Sequence, residues 1–150
     1  KMVETFTIDI NHISSTGGHL EISFADSKIA VPFKVETNKK AMSNIKEALA
    51  NSPKDKLWMV NRNAANYYLN NNMDKEKALE FIQTSVKLNA DSWYSHYVHG
   101  EILFALGKNK EAASAANKAM EIGQKSAEEA GKEFGYTEML EEAMTKWSKA

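Results

Sequence analysis

The chain contains no cysteine. Disulfides, thiolate zinc sites and cysteine nucleophiles are excluded together, while oxidising and reducing compartments both permit such a sequence. Arginine is nearly missing too. Of nineteen basic residues only Arg62 is arginine, so guanidinium forks for phosphate or carboxylate are almost absent. Nor is there an excess of one charge. Nineteen basic against twenty acidic residues give a formal net charge of -1, which argues against a nucleic-acid surface, since such a surface needs a cationic excess to release counterions. No apolar run approaches the roughly 20 residues of a membrane-spanning helix, and no signal peptide is visible. The chain opens Lys1-Met2-Val3 within what reads as a strand. We therefore expect a piece of a longer protein, for which a missing leader carries little weight. What is present is 150 residues, 43% of them hydrophobic, enough for one domain or a small domain plus an attachment.

The first 36 residues alternate with period two. Phe6, Ile8 and Ile10 oppose Thr5, Thr7 and Asp9; Leu20, Ile22 and Phe24 oppose His19, Glu21 and Ser23; Ile29, Val31, Phe33 and Val35 oppose Ala30, Pro32 and Lys34. This pattern predicts three half-buried antiparallel strands, joined by Asn11–Gly18 and by a short turn at Ala25-Asp26-Ser27. Pro32 cannot donate to a strand ladder, so the third strand is expected at an edge or with its proline on the unpaired side.

After Thr37 the period becomes helical. Ala41, Ile45, Ala48 and Leu49 share a face of a first helix. Ser52-Pro53-Lys54-Asp55 predicts a second, with Ser52 as N-cap and proline in the first turn, ending at Asn70-Asn71-Asn72. Asp74 is expected to cap a third helix, and Asp91 or Ser92 a fourth that stops at Gly107. An alanine-rich fifth helix starts near Asn109, and Gly131 and Gly135 mark its end. Leu140, Ala143, Met144 and Trp147 then form an i, i+3, i+4, i+7 stripe on a sixth.

Residues also recur at a spacing of 34. Ala78 and Ala112, Asn66 and Gly100, Ser85 and Ala119, and Leu88 and Ile122 are each one period apart. Two helical units of this length, from about Met59 and about Trp93, resemble tetratricopeptide repeats. The second unit fits well, with Gly100, Phe104, Gly107, Ala112, Ala119 and Ile122 in the expected slots. The first is degenerate, with Asn66 and Met73 where small or turn glycines belong. The fold class expected is α+β: a three-stranded antiparallel β segment over 1–36, followed over 37–150 by a six-helix, right-handed, tetratricopeptide-like superhelix.

The strands Val3-Glu4-Thr5-Phe6-Thr7-Ile8, Leu20-Glu21-Ile22-Ser23-Phe24 and Val31-Pro32-Phe33-Lys34-Val35, followed by such helices, are similar to the C-terminal part of a bacterial family catalogued as domain of unknown function 2911. Asn66-Tyr67-Tyr68-Leu69, Lys77-Ala78-Leu79-Glu80 and Trp147 share in the resemblance. It implies a periplasmic or otherwise exported protein whose larger β domain contributes only its last strands here. It implies no particular chemistry. Ten large apolar residues on one face of three strands need a cover: the first helix, a second copy of the chain, or the rest of that β domain.

The repeat resemblance also implies a groove lined by the first helix of each unit. Its inward positions would be Val60, Asn63, Tyr67, Asn70, Tyr94, Tyr97 and Glu101. Amides can bond an extended backbone, and tyrosine rings add rigid contact area. Arg62 lies beside them and is suited to a carboxylate. The plainer reading is that these tyrosines pack against the first helix or the strands.

Other clusters read as structural. His96 and His99 share a helix face as two potential metal ligands, yet both fall at helix-packing slots, and no carboxylate completes a site. Gly17-Gly18 precedes a strand and so is a hairpin loop rather than a phosphate cradle. His12, His19, Ser14 and Ser15 supply no nucleophile elbow. Glu128, Glu129, Glu141 and Glu142 lie on solvated helix faces, and Met59, Met120, Met139 and Met144 fill the core. No catalytic residue, metal or cofactor is expected.

The functional expectation is a non-enzymatic module that binds a peptide or protein partner in an exported bacterial protein, with tyrosine contacts supplying affinity and asparagines fixing the backbone. The alternative is structural support for a ligand-binding or enzymatic β domain outside this chain. A homodimer through the β face is a third reading.

Overall fold

Strands β1 (Val3–Ser14), β2 (Gly17–Ala25) and β3 (Ser27–Lys34) pair antiparallel in the order β1-β2-β3 in the computed structural model, which describes residues 3–149. The strand reading of Lys1 and Met2 lies outside the described residues. Six helices follow: α1 (Thr37–Asn51), α2 (Leu57–Asn70), α3 (Lys75–Leu88), α4 (Trp93–Ala105), α5 (Asn109–Glu129) and α6 (Thr137–Lys149). This is the α+β order expected. Two compact units result, one reaching Lys46 and one running on from Glu47, with the division inside α1.

In the first unit, alternation and register together sort the side chains. Ile8 stands opposite Ile22 and Ile10 opposite Leu20, while Ile22 faces Ile29 and Leu20 faces Val31. A single apolar face follows, backed by a polar one carrying Thr7, Asp9, Asn11, His19, Glu21, Ser23 and Lys28. Phe6, Ile8, Ile10, Phe24 and Ile29 remain 56–62% exposed. Pro32 sits on edge strand β3, as a residue without an N–H should.

The expected Asn11–Gly18 connection is much shorter than its composition suggests. Pairing continues through Asn11 opposite His19 and resumes with Ser14 opposite Gly17, leaving Ser15 and Thr16 as the turn. Backbone pairing here overrides the loop preference of Asn, Ser and Gly. Gly17 has φ 153°, and a Cβ there would lie 2.1 Å from the Phe33 carbonyl oxygen. Only glycine lets β3 approach so closely.

In the second unit α2 packs with α3, α4 with α5, and the pairs join through α3–α4 and α5–α6 contacts, a helical repeat-like arrangement. Asp74 accepts from the Lys77 N–H at 3.0 Å and caps α3. Of the two candidates for α4, Ser92 is the cap, accepting from the Ser95 N–H. Gly107 follows α4 with φ 76°, the left-handed stop that glycine tolerates. Ser52 is not a cap. Pro53, at φ -56° and ψ 146°, is extended, so the segment divides into a 3-10 turn at Lys54–Lys56 and then α2, whose start has no side-chain cap.

Small residues bring the helices together. Ala64, Ala65, Ala78, Ala112, Ala116 and Ala119 are buried, and Ile82, Val98, Ile102 and Leu140 fill the spaces between. One polar chain crosses this core: Ser85 Oγ donates to the Trp58 carbonyl at 2.7 Å and lies 3.1 Å from Ser95 Oγ. Both serines are fully buried, so these bonds replace the water they lose.

Candidate functional site

The first helix of each pair and α6 line a groove of about 440 Å³, bordered by Leu69, Asn70, Tyr97, Glu101, Phe104, Met139, Lys146 and Trp147. Its floor is set by Gly100. A Cβ there would lie 2.5 Å from Trp147 Cζ3 and 3.0 Å from the Ala112 carbonyl oxygen, so glycine is what seats the α6 tryptophan against α4. Trp147 is then clasped between aromatic neighbours, its ring 5.9 Å from Tyr97 and 5.9 Å from Phe104, with interplanar angles of 25° and 23°. These are offset stacks within the favourable range.

The stacking extends in both directions. Tyr94 lies 6.1 Å from Tyr97 at 23°. The Arg62 guanidinium sits over Tyr94 and over Trp58, 5.3 Å from each ring, and Lys146 lies 5.6 Å from Phe104. A continuous column of side chains thus runs from Trp58 on α2, across α4, to Trp147 and Lys146 on α6. Cation–π contacts close both ends.

Electrostatics within the groove are shaped by burial. The Tyr97 phenol is pushed up to about 12 by burial and then by the Glu101 charge, to which it is hydrogen-bonded. Burial also raises the Glu101 carboxyl, against the opposing effects of the Tyr97 hydroxyl and the Lys146 ammonium. The outcome is a trough in which three aromatic rings share the lining with the carboxyls of Glu101 and Glu142 and the ammonium of Lys146. Arg62 donates to the Asn63 side-chain oxygen at 3.3 Å, while its Nε is buried and has no bond partner among the described residues.

No protein-family model matches the chain, and no curated protein matches it.

Of the residues singled out from sequence, Asn70, Tyr97 and Glu101 line the groove together. Tyr94 joins them through its stack on Tyr97 and is 37% exposed. Asn63 is exposed beside Arg62, at the α2 end of the column. Tyr67 and Val60 are half-buried on α2 and are not part of the lining. Sequence reasoning missed Trp58, Phe104, Lys146 and Trp147 as members of one surface. The available signal was the apolar stripe of α6, which points Trp147 toward Gly100.

Tyr97 has two roles, since it also packs on the core cluster of Ala119, Met120 and Leu140. His96 bonds the Ala90 carbonyl through Nε2 at 2.9 Å. His99 is half-buried, and its Nε2 has no partner among the described residues. A larger concavity of about 730 Å³ lies in the first unit, between Val35 and Asn44. It is open and lined mostly by exposed residues of the α1 start.

Proposed function

We propose that the helical unit is a non-enzymatic interaction module of tetratricopeptide-like type, which binds an extended peptide segment along α2, α4 and α6. The observation carrying this reading is the aromatic column. Rigid rings aligned across three helices offer contact area at low entropic cost; Tyr94 is exposed and Tyr97 and Phe104 half-buried, while Trp147, 4% exposed, anchors them from the core. The occupant that fits is a peptide with an apolar or aromatic side chain seated against the half-buried Tyr97 and Phe104, its backbone bonded by the exposed amides of Asn63 and Asn70. Arg62 and Lys146 at the ends suit acidic flanking groups. The resemblance of the strands and helix pairs to domain of unknown function 2911 supports assigning the module to an exported bacterial protein.

The test is selection of peptides from a random display library against the full chain, followed by calorimetry on the enriched sequences. Binding is expected to weaken by tenfold or more (about 1.4 kcal/mol) in Tyr94→Ala and in Asn70→Ala, with the melting temperature little changed. Enriched peptides that bind both variants as tightly as the parent would overturn the proposal.

The apolar sheet face favours a second surface in the first unit. Three strands of about eight residues present roughly 14 Å by 26 Å of surface, without a charged side chain among Phe6, Ile8, Ile10, Leu20, Ile22, Ile29 and Val31. We propose that a second copy of the chain covers it, face to face as in a sandwich. That footprint is below the about 800 Å² per partner of a standard stable interface, so the dimer is expected to form only at higher concentration. Light scattering across a concentration series should show mass rising toward twice the monomer, and Ile8→Asp should abolish the rise. A monomer at every concentration would refute it.

A further inference from the structure

On the polar face of the sheet, three groups with metal-ligand chemistry converge. His12, His19 and Glu21 each offer one donor atom, and these atoms lie within 4.8 Å of one another. Strand alternation alone does not bring them together. Asn11 pairs with His19 and Asp9 with Glu21, so His19 and Glu21 project from the same face, whereas the residue after Asn11 would point to the opposite, apolar one. The register breaks between Asn11 and Ser14, and His12 adopts φ 54°. That left-handed backbone, uncommon outside glycine, turns the His12 ring to the polar side. It meets His19 edge-on, with ring centroids 5.2 Å apart.

Glu21 is held in place from two sides. Asn11 Nδ2 donates to its Oε2 at 2.7 Å, and the Lys28 ammonium pairs with the same oxygen. These two partners keep its carboxyl below the usual range, Lys28 foremost. The side chain is also buried, while Asn11, His19 and Ser23 beside it are half-buried and Lys28 is exposed. Neither Asn11 nor Lys28 uses Oε1, so one oxygen of an oriented carboxylate remains for a third partner.

We propose that His12, His19 and Glu21 form a binding site for a divalent transition-metal ion of the zinc, nickel or copper kind. Two imidazoles and a carboxylate suit that class, whereas magnesium and calcium prefer sets made wholly of oxygen. Donors about 2.1 Å from a tetrahedral ion stand about 3.4 Å apart. Closing the triad therefore takes a movement of roughly 1–1.5 Å, which the exposed His12 ring provides by rotating. Three protein ligands leave a coordination position open to water or a further ligand. Lys28 is a built-in competitor, because its ammonium holds the carboxylate that the ion would share.

Zinc titration of the full chain by calorimetry, in buffer containing excess magnesium, tests this. One ion per chain is expected. His12→Asn, which keeps a residue tolerant of left-handed backbone, and His19→Gln should each weaken binding by about tenfold or more. Lys28→Met should tighten it severalfold, and His96→Gln and His99→Gln should leave it unchanged. Circular dichroism of each variant reports that the fold is intact. Binding that survives in both His12→Asn and His19→Gln, binding lost with His96 or His99, or Lys28→Met binding no tighter than the parent would overturn the proposal, as would adventitious uptake without fixed stoichiometry.

Discussion

Replacing Gly100 by alanine should loosen the helical unit although alanine is the better helix former. Helix propensity alone predicts a gain of about 0.5–1 kcal/mol. Packing predicts a larger loss. The new methyl would sit 2.5 Å from Trp147 Cζ3 and 3.0 Å from the Ala112 carbonyl oxygen, and overpacking of this kind costs about 1–3 kcal/mol. The net expectation is about 1–2 kcal/mol of destabilisation. For a unit of this size that corresponds to about 4–8 °C in Tm per kcal/mol. The closer contact belongs to the tryptophan, so the cost should be coupled to it. In a Trp147→Leu background, Gly100→Ala should cost at least about 1 kcal/mol less than in the parent, a coupling that a double-mutant cycle measures. Thermal melts followed by circular dichroism on the four proteins supply the numbers. A Gly100→Ala protein as stable as the parent, or one equally destabilised in both backgrounds, would refute the argument that glycine seats Trp147.

Two further expectations concern buried polar groups. Ser85→Ala removes the bond to the Trp58 carbonyl and the contact with Ser95, but Ser95 keeps Ser92 as a partner; the cost should be about 1–2 kcal/mol. The Ser85→Ala/Ser95→Ala double variant should then cost less than the sum of the two singles in urea unfolding. His99 is held below its ordinary value of about 6.5, first by burial and then by the neighbouring His96 charge. Its neutral form is therefore favoured by folding. This contribution is fully present above about pH 6.5 and is lost as pH falls from there through the lowered folded value, because the unfolded chain takes up the proton first. Urea midpoints between pH 5 and 8 should fall toward acid, and His99→Gln should flatten that slope; an unchanged slope would contradict the assignment.

Much of this architecture can be read from local pattern. The period-two runs set which strand residues share a face, and Pro32 marked an edge. Asp74 and Gly107 announced helix ends through chemistry that acts within a few residues. Local pattern failed where distant contacts decide. Asn11–Gly18 has a loop's composition, yet pairing with β2 draws most of it into the sheet, and the bulge that carries His12 to His19 leaves no trace in the alternation. Ser52 looked like a cap, but the extended conformation of Pro53 moved the helix start to Leu57. The groove was half legible. The repeat resemblance pointed to Asn70, Tyr97 and Glu101, whereas Trp147 meets Tyr97 and Phe104 only through the docking of α6 on α4. Tyr67, on the same helix as Asn70, does not line that groove.

The aromatic column is proposed as the recognition surface. The most direct measurement is an NMR titration of the isotope-labelled full chain with a display-selected peptide, following the indole N–H signals of Trp58, Trp93 and Trp147 together with the backbone amides. We predict the largest shifts at Trp147 and around Tyr94, Tyr97 and Phe104, with the strand amides unmoved. Shifts confined to β1–β3, or silent amides around Tyr94, Tyr97 and Phe104 in the presence of saturating peptide, would show that the column is not the recognition surface.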